Sequence, residues 1–191
     1  MEFSPDVRYL AVGFVWGFVR MVDLSIEMHQ TVLAGHESFV DCVAFSPNGG
    51  QLVSVSSQSA YVRNTETWTR DKIRGLLSTN RAEFSNDGRI ILVHYGHGRK
   101  HYVDASTLKE VDPPGSWVPA TFPAPRFPVF LSDDKRSLCL KKGNQTIHFC
   151  WFPDSFMAYS KVAQYKDMVC LGGWGGEVLC IDLTGFEVPD I

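Results

Sequence analysis

The sequence has no uninterrupted apolar stretch long enough to cross a bilayer as a helix, which takes about 20 residues. Its opening, Met1-Glu2-Phe3-Ser4-Pro5-Asp6, lacks the basic flank and apolar run of a secretion signal. The expectation is a cytoplasmic protein with no membrane association. Positive charge is not in excess: 18 Lys and Arg stand against 21 Asp and Glu, a formal charge of -3. A nucleic-acid footprint is therefore not expected.

Cysteine is scarce and odd in number. Cys42, Cys139, Cys150, Cys170 and Cys180 form no Cys-x-x-Cys pair, and each lies in an apolar, strand-like run. A thiol there behaves as a small hydrophobe, so buried free thiols are expected rather than metal ligands or a disulfide. Cys170 and Cys180 are spaced to face each other across one hairpin, and a reducing cytosol is expected to keep them as thiols. Catalytic patterns are also missing. There is no Gly-x-x-x-x-Gly-Lys-Ser/Thr, no Gly-x-Ser-x-Gly and no His-Glu-x-x-His. The glycines Gly172-Gly173-Trp174-Gly175-Gly176 lead into the strand-like Val178-Leu179-Cys180-Ile181, whereas a phosphate cradle needs a following helix. The chain is expected to be no enzyme and to hold no cofactor or metal.

What is present points to β-structure. Aromatic residues make up 13% of the chain and Gly numbers 16, a composition of strands and turns. One pattern recurs: an apolar strand, a Ser-Pro-Asp/Asn-Gly-like turn, a second apolar strand, a short turn, and a third strand ending in an apolar-acidic pair. Phe3-Ser4-Pro5-Asp6, Phe45-Ser46-Pro47-Asn48-Gly49 and Phe84-Ser85-Asn86-Asp87-Gly88 open three copies, 42 and then 39 positions apart. Pro presets φ in such a turn, Asp or Asn bonds its own backbone, and Gly accepts positive φ. Weaker copies begin at Pro128-Val129-Phe130-Leu131-Ser132-Asp133-Asp134 and at Lys161-Val162-Ala163-Gln164-Tyr165. Runs such as Ile90-Ile91-Leu92-Val93 are apolar throughout, as strands buried on both faces are. A period of about 40 to 45 residues with strand content is that of propeller blades.

These residues resemble the WD40 repeat. Gly35-His36 followed by Val40-Asp41-Cys42-Val43-Ala44-Phe45-Ser46-Pro47 matches the family's Gly-His and first-strand block. Val22-Asp23, Val103-Asp104 and Ile181-Asp182 stand where the family has Trp-Asp. The resemblance implies an all-β, WD40-type β-propeller of about four to five four-stranded antiparallel blades, with approximate bounds 3–36, 37–78, 79–115, 126–158 and 159–191. That is fewer blades than such propellers commonly close with. A partial propeller is expected, with a small closed ring or an open, self-associating array as alternatives. No Trp-Asp dipeptide exists. Thr65-Glu66 is read as replacing it in the blade of His36, with Ser59 near the family's Asp. His36 is accordingly expected to lack the full His, Ser/Thr, Asp and Trp hydrogen-bond network. The late blades also resemble the C-terminal propellers of fungal NACHT-type NTPase proteins.

The function implied is a non-enzymatic protein-interaction scaffold. The alternatives are a fragment of a signalling NTPase's sensor propeller and, further off, a small propeller enzyme with carboxylates around its channel. The partner residues expected on the loop face are Trp16, Phe39, His97, Arg99 and Trp174, since exposed aromatics and Arg are enriched at binding hot spots. Other features have plainer readings. His94, His97 and His101 fall on a polar hairpin with no Cys or carboxylate pattern to complete a zinc site. Asp112-Pro113-Pro114 to Pro128 reads as an inter-blade connection rather than a polyproline ligand, Asp133-Asp134 as a solvated turn, and the sequon Asn144-Gln145-Thr146 as unmodified.

Overall fold

The computed structural model describes residues 1–25, 29–76, 78–96, 98–121, 128–142, 144–153, 158–173, 177–185 and 187. These hold β-strands and no helix, so none of their elements is a helix able to cross a membrane. The chain divides into two compact units, Met1–Phe122 and Pro123–Ile191.

The first unit holds three antiparallel sheets in sequence order. They are β1 (Glu2–Phe3), β2 (Tyr9–Gly13), β3 (Val19–Asp23) and β4 (His29–Leu33); β5 (Val40–Phe45), β6 (Gln51–Ser56), β7 (Ser59–Asn64) and β8 (Arg70–Ile73); and β9 (Thr79–Phe84), β10 (Ile90–Tyr95) and β11 (Arg99–Asp104). In the third sheet a single bridge, Val103 to Glu110, stands where the others have a fourth strand. The second unit holds β12 (Val129–Leu131), β13 (Ser137–Lys142) and β14 (Gln145–Trp151), then β15 (Ala158–Tyr165), β16 (Met168–Gly173) and β17 (Val178–Asp182).

One turn explains why the first two strands of four of the five sheets pair as they do. The hydroxyls of Ser4, Ser46, Ser85 and Ser132 donate to Oδ1 of Asp6, Asn48, Asp87 and Asp134 at 2.5–2.7 Å. Each hydroxyl also accepts the backbone N–H five residues on, from Tyr9, Gln51, Ile90 and Ser137, at 2.8–3.0 Å. The fourth position is left-handed in every copy: Val7 (φ 63), Gly49 (φ 73), Gly88 (φ 72) and Lys135 (φ 57). Only two copies use the glycine that this φ favours. The side-chain clamp holds the others. Asp134 belongs to this clamp, and the Ser132 hydroxyl is the main cause of its lowered pKa.

Within the first unit the sheets stack through their faces. Ala11, Val19, Met21 and Leu33 of the first pack on Val43, Phe45 and Leu52 of the second. Its opposite face, with Val53, Val55, Val62 and Ile73, packs on Phe84, Ile91, Val93 and Val103 of the third. Both faces of the middle sheet are thus packed, which is why five of the six residues of β6 are buried, Ser54 and Ser56 among them. In the second unit Leu138, Val169, Leu171 and Leu183 form the equivalent core.

The expectation of free thiols fails for one pair. Cys170 and Cys180 are disulfide-bonded. They are direct cross-strand partners in β16 and β17, with Cα atoms 4.2 Å apart, so both side chains leave the sheet on the same face. Register decides the contact, whereas the sequence reading let the expected compartment decide it. Cys42, Cys139 and Cys150 are not in disulfides.

The first strand of each sheet has an edge whose N–H groups no sheet partner takes. Oε1 of Glu2 accepts from Phe45 N–H of β5 at 3.0 Å, and Oε1 of Gln164 in β15 accepts from Val129 N–H at 2.9 Å in the second unit. Burial pushes the Glu2 carboxyl up to about 7, with the Phe45 bond pulling the other way. A folded-state pKa above the unfolded one means stability that is complete below about 4.5 and is lost as pH rises toward 7. Glu2→Gln keeps the acceptor and removes the charge. It is expected to be about 1–2 kcal/mol more stable than the parent at pH 8 and equal to it near pH 4, as read by urea denaturation at both values. The figure is below the full shift because Glu2 keeps some solvent contact.

Candidate interaction surface

The loops at one end of the first unit are tied to one another by hydrogen bonds. His36 N–H donates to Gly17 O (3.1 Å) and Val40 N–H to Phe14 O (3.0 Å), joining the β2–β3 hairpin to the loop before β5. The Ser38 and Ser57 hydroxyls bond at 2.7 Å. Ser78 N–H reaches Ser57 O (2.6 Å), and Gly96 N–H reaches Ser78 O (3.0 Å). Residues 14–18, 36–40, 57, 78 and 96 thus form one chain of contacts across three sheets.

Two large apolar side chains stand out from this belt. Trp16 and Phe39 are each 63% exposed. Trp16 is braced from below: its ring stacks on Phe14 (6.4 Å, 4°) and Phe18 (6.1 Å, 22°), which stack on each other at 4.8 Å. The Arg20 guanidinium lies 4.9 Å from the Phe14 centroid. An exposed Trp held rigid loses little entropy on binding. Gly17 makes this geometry possible. Its φ is +80, and a Cβ there would sit 2.3 Å from His36 O.

The expected partner residues distribute unevenly. Trp16 and Phe39 come together on hydrogen-bonded loops. Arg99 is exposed at the start of β11, its N–H on Gly96 O (2.9 Å), at the end of the same belt. His97 and Trp174 lie outside the described residues. The other two histidines of the polar hairpin are engaged locally, His94 with Glu83 (3.2 Å) and His101 with Glu110 (3.1 Å). Glu83 also pairs with Arg81 (3.1 Å). Pro119 bridges Ser85, and Ala120 N–H donates to Phe84 O at 2.8 Å, so that part of the proline-rich stretch runs along β9. Its Pro123-Ala124-Pro125 core lies outside the described residues.

Beneath the loops, His36 lacks the Asp and Trp of the full network, as expected, yet it has other partners. His36 is buried with both ring nitrogens partnered, Nδ1 to Ser59 Oγ at 2.8 Å and Nε2 to Ser54 Oγ at 2.9 Å. Arg63, 1% exposed, donates Nη1–H to Ser54 Oγ (2.8 Å) and Nη2–H to Ala34 O (3.0 Å). Arginine can only donate, so the Ser54 hydroxyl accepts from Arg63 and keeps its own proton and a second lone pair to meet Nε2. Ser59 Oγ in turn bonds Ser56 Oγ at 3.0 Å. Burial, reinforced by Arg63, Arg70 and Lys72, holds the His36 pKa down to about 4, so the ring is neutral at pH 7.

The reading of Thr65-Glu66 as the pair-equivalent is off by two residues. Asn64 ends β7 and accepts N–H from Glu66 (2.9 Å) and Thr67 (3.0 Å), as Asp104 accepts from Ser106 (3.0 Å) and Thr107 (2.8 Å) after β11. Arg63-Asn64 thus stands where the sequence resemblance places Trp-Asp. The echo of Asn64-x-x-Thr67 in Asp104-x-x-Thr107 was the available signal, and Arg63 hid it by being a cation in a core position.

The comparisons agree with this geometry. Residues 28–64 match the family model described as WD domain, G-beta repeat. A chain in the crystal structure of the mitotic checkpoint complex is similar in fold, with a TM-score of 0.50 at 14% identity over 92% of this chain. The protein spans 59% of that chain's length. No curated protein sequence matches it. Five sheets of three to four antiparallel strands among the described residues, the repeated inner turn and the matched segment together give the chain a fold of the WD40 β-propeller type, partial or not, with residues 28–64 matching a WD40 repeat.

Proposed function

We propose that the protein is a non-enzymatic scaffold that binds a protein partner through the loop face of its first unit. WD40 repeats support a protein-interaction module in general, and one observation carries the finer reading. Trp16 and Phe39, both largely exposed, are mounted on loops that hydrogen bonds lock together. Isolated exposed apolar residues need no explanation, but two braced aromatics on a rigid support match the anatomy of a binding hot spot.

Affinity capture from lysate with the parent, Trp16→Ala, Phe39→Ala and the double variant tests the reading. Each single change is expected to reduce recovery of the captured partner at least about tenfold, the consequence of losing roughly 1.4 kcal/mol or more at a hot spot. Circular dichroism should be unchanged, since both side chains project into solvent. Equal recovery by the double variant and the parent would remove this face from the function.

A further inference from the structure

A second surface of the first unit is built differently. On one face of β7 and β8, Tyr61 is the cross-strand partner of Lys72, and Arg63 of Arg70. All three cations gather about the Tyr61 ring, with Arg63 Cζ 5.7 Å, Arg70 Cζ 5.0 Å and Lys72 Nζ 5.9 Å from its centroid. Arg63 and Arg70 also share one acceptor, Ala34 O, at 3.0 and 2.7 Å. Room for the second guanidinium comes from Gly35, whose absent Cβ would lie 1.5 Å from Arg70 Nη1. Among the described residues no carboxylate pairs with any of the three, although Arg8, Arg81 and Arg89 each have one. Asp71 belongs to the opposite face of β8, one residue out of phase.

Three like charges around one half-buried ring, one of them fully buried, is a costly arrangement for a folded chain to keep without a counter-charge. The ring quadrupole offsets part of it. The nearby furrow between β8 and residues 106–110 contrasts with it: Lys72, Arg74 and Lys109 line it together with Asp71 and Glu110, so two carboxylates offset most of its positive charge. The mutual repulsion also registers in Arg63, whose pKa burial and then Arg70 bring down to about 10.

We propose that Arg70 and Lys72 beside Tyr61, with the buried charge of Arg63 behind them, form a binding site for a phosphate-monoester dianion. A dianion matches the charge better than a single carboxylate, and the exposed Arg70 and Lys72 leave the site open to solvent. Arginine supplies the planar donors that phosphate oxygens accept, and the lysine a movable point charge. The group can come from free phosphate or from a phosphorylated side chain of another protein.

Thermal unfolding of the full chain at pH 7.5 tests this, in chloride buffers matched for ionic strength. Inorganic phosphate at about ten times its dissociation constant is expected to raise Tm by about 3–6 °C over chloride. Lys109→Gln, in the neighbouring furrow, should keep that shift, and Arg70→Gln/Lys72→Gln should lose it. Lys72→Glu supplies an internal counter-charge. It is expected to raise Tm in chloride and abolish the phosphate response, and it decides the matter if the double variant does not fold. A short phosphoserine peptide acting at tenfold lower concentration than inorganic phosphate would assign the site to a phosphorylated chain, and equal potency to the free anion. The site is overturned if phosphate gives no shift over chloride, or if the shift persists in Lys72→Glu.

Discussion

Replacing Gly17 with alanine is expected to cost about 2–4 kcal/mol of folding stability and to dismantle the loop face that carries Trp16. Two independent terms add. The backbone there is left-handed at φ +80, which a residue with a Cβ adopts at a cost of about 1 kcal/mol. The new methyl would also sit 2.3 Å from the backbone oxygen of His36 and 3.2 Å from that of Ser38. These are backbone atoms and cannot rotate away, so the hairpin and the loop before β5 must separate. The bonds His36 N–H to Gly17 O and Val40 N–H to Phe14 O break as they do. Gly75, with the same kind of φ but open space around it, is the matched control: Gly75→Ala should lose only the conformational part. Urea denaturation of both variants reads the difference. A Gly17→Ala variant no less stable than Gly75→Ala would show that the two loops are not in contact.

His36→Ala is expected to be as damaging, at about 2–4 kcal/mol, because it takes one hydrogen-bond partner from each of the buried Ser54 and Ser59 hydroxyls as well as opening a cavity. The histidine also carries a pH signature. Its folded pKa of about 4 lies below the ordinary 6.5, so its contribution is complete above pH 6.5 and falls as pH drops toward 4. Between pH 7.5 and 5.0 the expected loss is about 1–2 kcal/mol, reduced from the full linkage value for partial solvation of the ring. Glu2 runs the other way over much of the same range, gaining stability as pH falls. The clean measurement is therefore made in Glu2→Gln. There, denaturation midpoints should decline on acidification, and adding His36→Ala should flatten the decline. A decline of the same size without His36 would assign the acid sensitivity elsewhere.

Much of the architecture was legible in the chain because it is written in local chemistry. The inner turn is a Ser hydroxyl, an Asp or Asn two residues on, and a left-handed fourth position. The carboxyl or amide that ends β3, β7, β11 and β17 is equally local. Both recur at a blade's period and need no tertiary information. Trp16 and Phe39 were legible as surface residues for the same reason, since each sits in a turn sequence between strands. Arg63 was not. A cation in an apolar strand looks like an outward-facing residue, and only the packed structure shows Ser54 and Ala34 O waiting for its donors. The Cys170–Cys180 bond was half legible: the spacing suggested a shared hairpin, and the register fixed both sulfurs on one face.

The amino-acid order by itself determined the strands, their turns and the repeat, because each depends on interactions spanning only a few residues. The tertiary structure alone decided how His36 finds its partners, how Gly17 yields to a crossing loop, and how three cations come to surround one tyrosine. Those contacts join residues that the chain separates by 7 to 36 positions. Their energies depend on burial, which no single segment possesses before the sheets stack.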